Sequence, residues 1–282
     1  MGVGQKHEQG VVSEDYTVGG VHVVRTCSDM VPARHATPLV LVHGGLHGAW
    51  CWDRYAGFLA RAGWDCHALD WLHHGGSRSL PADDFLQRGI ADVRHDISAV
   101  TSSLSPLPAI VAHSMGGLAA LKFAEHQHVA AMALLTPALP RQAEPDVIDL
   151  PVNPDEPWGP PPFELARNLF FQRMSNTAAR GLYERLVPES PRAVTEVTRE
   201  WSVDIEPARV SGPVLVMAAE LDMLSDPAAV HRLARMVGAD YRFAHDRGHS
   251  LIFDDQWLDT ARLVEHWLRR QLSSTGSGAV IG

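Results

Sequence analysis

Positive charge is scarce in this sequence, and lysine is nearly missing. Lys6 and Lys122 are the only lysines among 24 Lys and Arg residues, against 33 Asp and Glu, so the formal net charge is −9. A surface this acidic repels nucleic-acid phosphates and anionic membrane head groups, which argues against both as partners. The strong preference for arginine over lysine, in a chain rich in alanine, is typical of a GC-rich bacterial genome.

Cysteines and long apolar runs are also few. Cys27, Cys51 and Cys66 are odd in number and form no CxxC pair, which argues against a disulfide framework and favours a reducing compartment. No apolar run approaches the roughly 18 residues of a membrane span. The first residues, MGVGQKHEQG, lack the apolar core of a signal peptide. These absences predict a cytoplasmic protein without a membrane segment.

Short apolar stretches of strand type alternate with stretches of helical periodicity along the chain. The sequence predicts strands at residues 21–26, 39–42, 65–69, 110–112, 129–135, 214–218 and 241–243. It predicts helices at residues 52–62, 85–104, 228–237 and 256–271, with another directly after residue 114. This alternation is typical of an α/β fold in which helices cover both faces of a mostly parallel sheet.

The pattern changes after residue 137, where prolines interrupt regular structure repeatedly up to residue 162. Helical stretches follow at 163–174, 177–186 and 191–201, with no strand among them. We therefore predict an α/β core formed by residues 15–137 and 207–272, with a helical cap inserted at 138–206. Residues 1–14 and the Ser/Gly-rich residues 273–282 are predicted to be flexible termini.

A serine follows one of the predicted strands in a pattern typical of a nucleophile elbow. The run PAIVAHSMGGLAA places Ser114 between a short apolar stretch and a helix-forming one. The sharp turn requires small residues two positions before and after the serine, and these are Ala112 and Gly116. Glycine is usual at both positions, so Ala112 adds one methyl group to a crowded place. The pattern predicts Ser114 as a nucleophile.

A serine hydroxyl needs a base to act as a nucleophile at neutral pH. His249 follows the last predicted strand and precedes the last helix, so a loop can deliver it to the carboxyl edge of the sheet. His245 is the alternative, but it lies closer to the strand end and lacks the glycine that precedes His249. We expect His249 to be the base.

The base in turn needs a carboxylate to orient it. Asp222 lies just past the apolar stretch at residues 214–218, so it can reach the same edge of the sheet. Glu220 and Asp226 are nearby alternatives. The chain order Ser…Asp…His is the order expected for this architecture, which favours Asp222.

Donors for a developing oxyanion are predicted in the segment HGGLHGAW, residues 43–50, directly after a predicted strand. Glycines there allow the backbone to turn sharply and to approach a ligand closely. One donor would be the amide of Gly45. The second would be the amide of Met115, which follows the nucleophile and begins a helix whose N-terminus favours negative charge.

The oxyanion segment, the elbow, the acid and the base follow one another along the chain in the order found in the α/β-hydrolase superfamily. The chain resembles this superfamily over about residues 15–271. Residues 43–52 (HGGLHGAWCW) resemble the corresponding segment of small esterases and hydroxynitrile lyases. Residues 70–77 resemble the family's Asp-x-x-Gly-x-Gly-x-Ser loop, with His73 in place of the first glycine. The resemblance implies a helical cap, a catalytic triad and an oxyanion hole, the last two formed by Ser114, Asp222, His249 and the amides of Gly45 and Met115.

Some members of this superfamily carry out other reactions. Haloalkane dehalogenases and epoxide hydrolases use an aspartate nucleophile, and the serine at position 114 argues against both activities. Hydroxynitrile lyases typically have threonine at the position of Gly45 and lysine at that of Met223, and both are missing. Cofactor-independent oxygenases, C–C bond hydrolases and non-catalytic ligand-binding modules stay open. The resemblance implies no cofactor, and the histidine pairs lack the HExxH pattern of a metal site.

The predicted substrate is a small molecule of small to medium size and mainly apolar character. Aromatic residues could line a pocket between core and cap, namely Trp50, Trp158, Phe163, Phe170 and Phe171. Phe170 and Phe171 could equally pack the cap onto the core. A carboxylic ester is the expected substrate, with lactones and thioesters as near variants, and the sequence leaves the oligomeric state open.

Overall fold

Nine strands form one sheet in the computed structural model, which describes residues 6–8, 10–30 and 33–273. The strands are β1 (Lys6–Glu8), β2 (Val11–Val18), β3 (Val21–Ser28), β4 (Leu39–Val42), β5 (Cys66–Leu69), β6 (Ala109–His113), β7 (Met132–Leu135), β8 (Val214–Ala219) and β9 (Asp240–Ala244). Their order is β1-β2-β3-β5-β4-β6-β7-β8-β9. Strands β4 to β9 run parallel, whereas β1, β2 and β3 pair antiparallel at one edge.

The central strands are apolar along their whole length because both faces of the sheet are covered. Every residue of β4, β6, β7 and β8 is buried, as expected for parallel strands with helices on both sides. Two hydrophobic clusters result, one on each face. The predicted α/β class with a mostly parallel sheet is therefore confirmed.

Nine α-helices occur within the described residues. They are α1 (Asp53–Arg61), α2 (Ala82–Leu86), α3 (Arg94–Thr101), α4 (Met115–Ala124), α5 (Phe163–Phe170), α6 (Asn176–Tyr183), α7 (Pro191–Glu196), α8 (Pro227–Met236) and α9 (Trp257–Ser273). Helices α3, α4 and α8 contribute to one hydrophobic cluster, and α1 and α9 contribute to the other. Across the described ranges, no helix combines the length and the apolar composition needed to cross a bilayer.

The prediction of one long helix over residues 85–104 is wrong. This part of the chain forms α2, a 3-10 turn at Ile90–Val93 and α3. Gly89 has an extended backbone at the break, with φ −86° and ψ 167°. The Glu196 carboxylate packs there and accepts the amide proton of Ile90 at 2.8 Å. A Cβ on Gly89 would lie 2.7 Å from Glu196 Oε1, so the contact with Glu196 takes the place of a helical hydrogen bond at the break.

The prediction that residues 1–14 are a flexible terminus is wrong for residues 6–8, which form β1, and for residues 11–14, which form the first half of β2. A turn with positive φ at Gly19 and Gly20 joins β2 to β3, and eight residue pairs from Val11↔Ser28 to Val18↔Val21 hold the hairpin. Polar residues dominate this strand because much of it is only partly buried. Helix α9 includes Ser273, and the predicted flexible residues 1–5, 9 and 274–282 lie outside the described residues.

An insertion between β7 and β8 carries helices α5, α6 and α7. These helices are shorter than the predicted stretches. An isolated bridge pairs Trp158, which precedes α5, with Glu189, which precedes α7. Leu169, Phe170 and Ala179 of the insertion belong to the hydrophobic cluster that also contains α1 and α9. The insertion therefore packs directly on the core, and it covers the carboxyl edge of the sheet.

Candidate active site

A sharp turn joins β6 to α4 at Ser114. The backbone of Ser114 has φ 53° and ψ −127°, a conformation that is strained for a residue with a side chain. A Cβ on Gly116 would clash with the carbonyl oxygen of His43, so this position requires glycine. Ala112 is fully buried, and its methyl group belongs to the same hydrophobic cluster as Leu118. The fold therefore accommodates the departure from glycine at this position.

The structure brings the three predicted triad residues together in one chain of hydrogen bonds. Ser114 Oγ lies 2.8 Å from His249 Nε2. His249 Nδ1 lies 3.0 and 2.9 Å from the two carboxylate oxygens of Asp222. Because a carboxylate only accepts, Nδ1 carries the proton, and Nε2 is free to accept from the serine hydroxyl. His249 and Asp222 are both buried.

The alternatives to these residues lie elsewhere. The His245 side chain is 80% exposed and faces Glu220 at 3.7 Å. Glu220 accepts the amide proton of Asp246 at 2.7 Å. Asp226 caps α8 by accepting the amide proton of Ala229 at 2.8 Å. Within the described ranges, His245, Glu220 and Asp226 form no hydrogen bond or ion pair with Ser114 or with the His249 side chain.

The backbone of His249 is held by three side chains that sequence reasoning did not single out. Its carbonyl accepts a proton from Thr136 Oγ1 at 2.8 Å and from His113 Nε2 at 3.1 Å. Its amide donates to Gln172 Oε1, a residue of the insertion, at 3.1 Å. His113 is adjacent to Ser114 and could have been suspected for that reason. Thr136 and Gln172 carry no comparable signal in the sequence.

The two residues predicted to supply oxyanion donors, Gly45 and Met115, lie beside Ser114. Among the described residues, none accepts a hydrogen bond from the amide of Gly45 or from that of Met115, and both residues line the same cleft as Ser114. A Cβ on Gly44 would lie 2.8 Å from the Cβ of Ser114, and a Cβ on Gly45 would clash with Met115 Sδ. The glycines therefore permit the close approach of this loop to the elbow.

A family model described as the alpha/beta hydrolase family matches residues 39–263, which include this whole arrangement. The chain belongs to this family. An esterase from Thermogutta terrifontis has a similar structure, with a TM-score of 0.67, 17% identity, and coverage of 92% of this chain and 98% of that one. At this identity the likeness shows the fold alone, and it agrees with the α/β-hydrolase fold predicted from the sequence.

Two plant esterases match part of this α/β hydrolase in sequence. Methyl jasmonate esterase 1 from Vitis vinifera is 38% identical over 81 residues, which is 28% of this chain and 30% of that protein. Methylesterase 9 from Arabidopsis thaliana is 35% identical over 83 residues, 29% of this chain and 31% of that protein. The matches thus span less than a third of either relative.

An apolar cleft of about 50 Å³ opens at Ser114 in the hydrolase. A cavity that holds a single water needs roughly 10–15 Å³, so the cleft has room for a group of several heavy atoms. Its walls are mainly aliphatic and aromatic, formed by Leu46, Ala138, Leu150, Trp158, Phe170, Val194, Val197 and Leu224. Such a lining suits an apolar group next to the reacting carbonyl.

Of the five aromatic residues predicted to line the pocket, the structure places Trp158 and Phe170 in the cleft. Trp50 stacks instead on Phe253 and lies under the Arg185 guanidinium, outside the cleft. Phe163 packs at the surface of the insertion, against Tyr183 and Arg180. Phe171 is fully buried and packs the insertion onto the core. The prediction is therefore wrong for Trp50, Phe163 and Phe171, because these rings pack against other side chains within the insertion or beneath it.

Three further histidines lie buried around the site. Burial lowers the pKa of His43 to about 3 and that of His47 to about 4. Burial, followed by the nearby His249 and His47, lowers the pKa of His113 well below its usual value. His43 Nδ1 donates to the Gly44 carbonyl at 2.7 Å while Nε2 accepts from the Trp71 amide at 3.1 Å, so the neutral ring satisfies its partners.

These lowered pKa values predict that acid destabilises the hydrolase. Between its unfolded pKa of about 6.5 and its lower folded pKa, each such histidine binds a proton only when the chain unfolds. Each therefore removes about 1.4 kcal/mol of unfolding free energy per pH unit as the pH falls through that range. We expect urea midpoints, followed by tryptophan fluorescence, to fall steeply between pH 6.5 and pH 4.5.

Two variants separate this cause from general acid effects. His47→Gln should make the pH dependence shallower by about one proton, because its buried imidazole is gone. His245→Ala, whose side chain is 80% exposed, should leave the pH dependence as it is. A stability that stays level from pH 6.5 to pH 4.5, or an equal change in both variants, would contradict the prediction.

Proposed function

We propose that the chain is a serine hydrolase that cleaves a carboxylic ester of a small to medium, mainly apolar substrate through an acyl-enzyme. One observation carries this proposal: Ser114, His249 and Asp222 are linked by hydrogen bonds of 2.8 to 3.0 Å in an apolar cleft, beside two backbone amides that have no acceptor among the described residues. Lactones and thioesters are near variants, because the same carbonyl chemistry opens them.

Acylation transfers the acyl group to Ser114 with His249 as base and then as acid. As Ser114 Oγ attacks the carbonyl carbon, its proton moves to His249 Nε2. The carbonyl electron pair moves onto oxygen, and the resulting oxyanion accepts from the amides of Gly45 and Met115. Asp222 holds the ring tautomer and stabilises the imidazolium. The tetrahedral adduct then collapses, the C–O bond to the alcohol breaks, and His249 returns the proton to the leaving oxygen.

Deacylation repeats these steps with water as the nucleophile. His249 Nε2 takes a proton from water as its oxygen attacks the acyl carbon, and the same two amides bind the second oxyanion. Collapse releases the carboxylic acid and returns the proton to Ser114 Oγ. Thr136 and His113 donate hydrogen bonds to the His249 carbonyl, and Gln172 accepts one from the His249 amide, so the ring stays in place through both halves.

The relatives suggest where to look for the substrate. Both plant proteins are named as esterases of methyl esters or as methylesterases, and a cleft of about 50 Å³ suits a small group at the reacting centre. We therefore propose that esters with a short alcohol or acyl part are the preferred substrates. Methyl esters of apolar acids are the first set to assay.

A labelling experiment and a substrate panel test the proposal together. We expect a fluorophosphonate to label the folded protein at Ser114 alone, as peptide mass spectrometry would show. We expect p-nitrophenyl acetate or butyrate to be cleaved faster than long-chain esters, lactones or thioesters. Labelling without turnover of any panel member would favour use of the triad as a base for another reaction. Absence of labelling in folded protein would favour a non-catalytic ligand-binding module.

A further inference from the structure

A buried carboxylate from the insertion lies at the edge of the cleft, although the reaction described above makes no use of it. Glu189 is 2% exposed and lines the same cleft as Ser114. Its backbone is fixed by two hydrogen bonds with Trp158, of 2.8 and 2.9 Å. A Cβ on Gly45 would lie 3.4 Å from Glu189 Oε2, so the carboxylate adjoins the loop that carries an oxyanion donor.

The Glu189 side chain holds the residue next to that donor. Its Oε2 accepts the amide proton of Leu46 at 3.3 Å, and its Oε1 accepts that of Ser190 at 2.8 Å. Leu46 has φ 66°, in the left-handed region that a leucine rarely adopts. The Leu46 carbonyl accepts the amide proton of Val187 at 3.0 Å. The insertion thus holds both sides of a strained residue in the oxyanion loop.

A carboxylate in this position would oppose the negative charge of an oxyanion unless a positive charge balanced it. His74, fully buried, supplies that charge: Nε2 lies 3.1 Å from Glu189 Oε2, and Nδ1 lies 3.4 Å from the Leu72 carbonyl. Both ring nitrogens face acceptors, which a doubly protonated ring satisfies. Although burial lowers the pKa of His74, the charge and hydrogen bond of Glu189 outweigh it, and the pKa is raised.

We propose that Glu189 is a positioning residue that holds Leu46 in its left-handed conformation and thereby directs the Gly45 amide at the oxyanion, while His74 cancels the carboxylate charge. This inference rests on the proposed ester hydrolysis for its kinetic part. The structural claim, that Glu189 holds Leu46, depends only on the contact between these two residues. The positioning role and the proposed ester hydrolysis can therefore fail separately.

The chain offers a matched control for Glu189. Glu196 is another buried carboxylate of the insertion, and it also accepts a backbone amide proton of the core, from Ile90 at 2.8 Å. Across the part of the chain that the structure describes, Glu196 lies outside the Ser114 cleft, and its side chain forms hydrogen bonds with Ile90 and Arg192 rather than with residues 43–50. Truncation of either glutamate removes an acceptor for a backbone amide of the core. Glu189→Ala also removes the contact with His74, and only Glu189→Ala releases Leu46.

The experiment compares Glu189→Ala, Glu189→Gln and Glu196→Ala with the unchanged protein. We expect Glu189→Ala to lower kcat for p-nitrophenyl acetate about 10- to 100-fold, because a misdirected donor loses much of its effect on the transition state. KM should stay within about twofold, as for an interaction realised in the transition state. Glu189→Gln should recover most of kcat, since its amide oxygen can accept from Leu46. Glu196→Ala should keep kcat within about threefold.

Hydrogen exchange of the peptide covering residues 43–50, measured on the same proteins, gives a readout that does not need activity. We expect faster exchange in Glu189→Ala than in the unchanged protein, and no such change in Glu196→Ala. If the unchanged protein cleaves no ester, this exchange pattern still decides the positioning role. Unchanged exchange in Glu189→Ala, or equal losses of kcat in both alanine variants, would overturn the proposal.

Discussion

Replacing Ser114 by alanine is expected to lower kcat for p-nitrophenyl ester hydrolysis by about 10⁴-fold or more, because the remaining site lacks the atom that forms the acyl-enzyme. Fluorophosphonate labelling should disappear with it. Among the described residues, the Ser114 hydroxyl forms a hydrogen bond only with His249 Nε2, so the folded structure should persist without it. Steady-state rates, labelling followed by mass spectrometry, and circular dichroism of the variant measure these three outcomes.

Ser211→Ala is the matched control for that loss. Ser211 lies just before β8, at the opposite edge of the sheet from Ser114, and its hydroxyl contacts His128 at 2.7 Å. The variant should keep the rate and the labelling of the unchanged protein. A Ser114→Ala protein that is folded and still cleaves the ester at a comparable rate would show that another residue is the nucleophile.

Replacing Asp222 by asparagine is expected to lower kcat about 10⁴-fold near neutral pH, the size of the loss that this change causes in a serine protease triad. An asparagine amide group can donate to His249 Nδ1, which moves the ring proton to Nε2, where it faces Ser114. The base is then blocked. The fold should remain, because the side-chain oxygen can still accept from the Leu224 and Ser225 amides, now at 2.9 and 3.0 Å from Asp222 Oδ1.

Asp226→Asn tests whether this loss belongs to Asp222 alone. Asp226 lies four residues further along the chain and caps α8 through Ala229. Since asparagine caps helices about as well as aspartate, both kcat and stability should stay close to those of the unchanged protein. An activity loss in Asp226→Asn that equals the loss in Asp222→Asn would contradict the assignment of the acid.

The elbow and the strands around it are predictable because they depend on local features. Strand β4 has the predicted bounds, since a short run of consecutive apolar residues is typical of a parallel strand that is covered on both faces. Gly116 lies close to the backbone of His43, and the sequence shows this need for a small residue through the spacing of Gly116 from Ser114. Asp222 and His249 are predictable because parallel strands bring their carboxyl ends to one edge.

Contacts between distant parts of the chain account for what the sequence could not predict. The break at Gly89 depends on Glu196, and the aromatic residues of the insertion reach the cleft or leave it according to how α5 and α6 pack. Strand β2 is hard to recognise because its polar residues are partly exposed and its partner supplies the hydrogen bonds. None of these contacts leaves a periodic pattern in either of the segments that form it.

The sequence by itself therefore determined the α/β class, the order of the site segments and the residues that meet at Ser114, because backbone geometry and glycine spacing are local properties. Only the tertiary structure decided which aromatic rings line the cleft and which side chains hold the His249 backbone. It alone placed Glu189 beside Leu46, 143 positions away in the chain. The reason is physical: such contacts form where the insertion packs on the core, and packing depends on both surfaces at once.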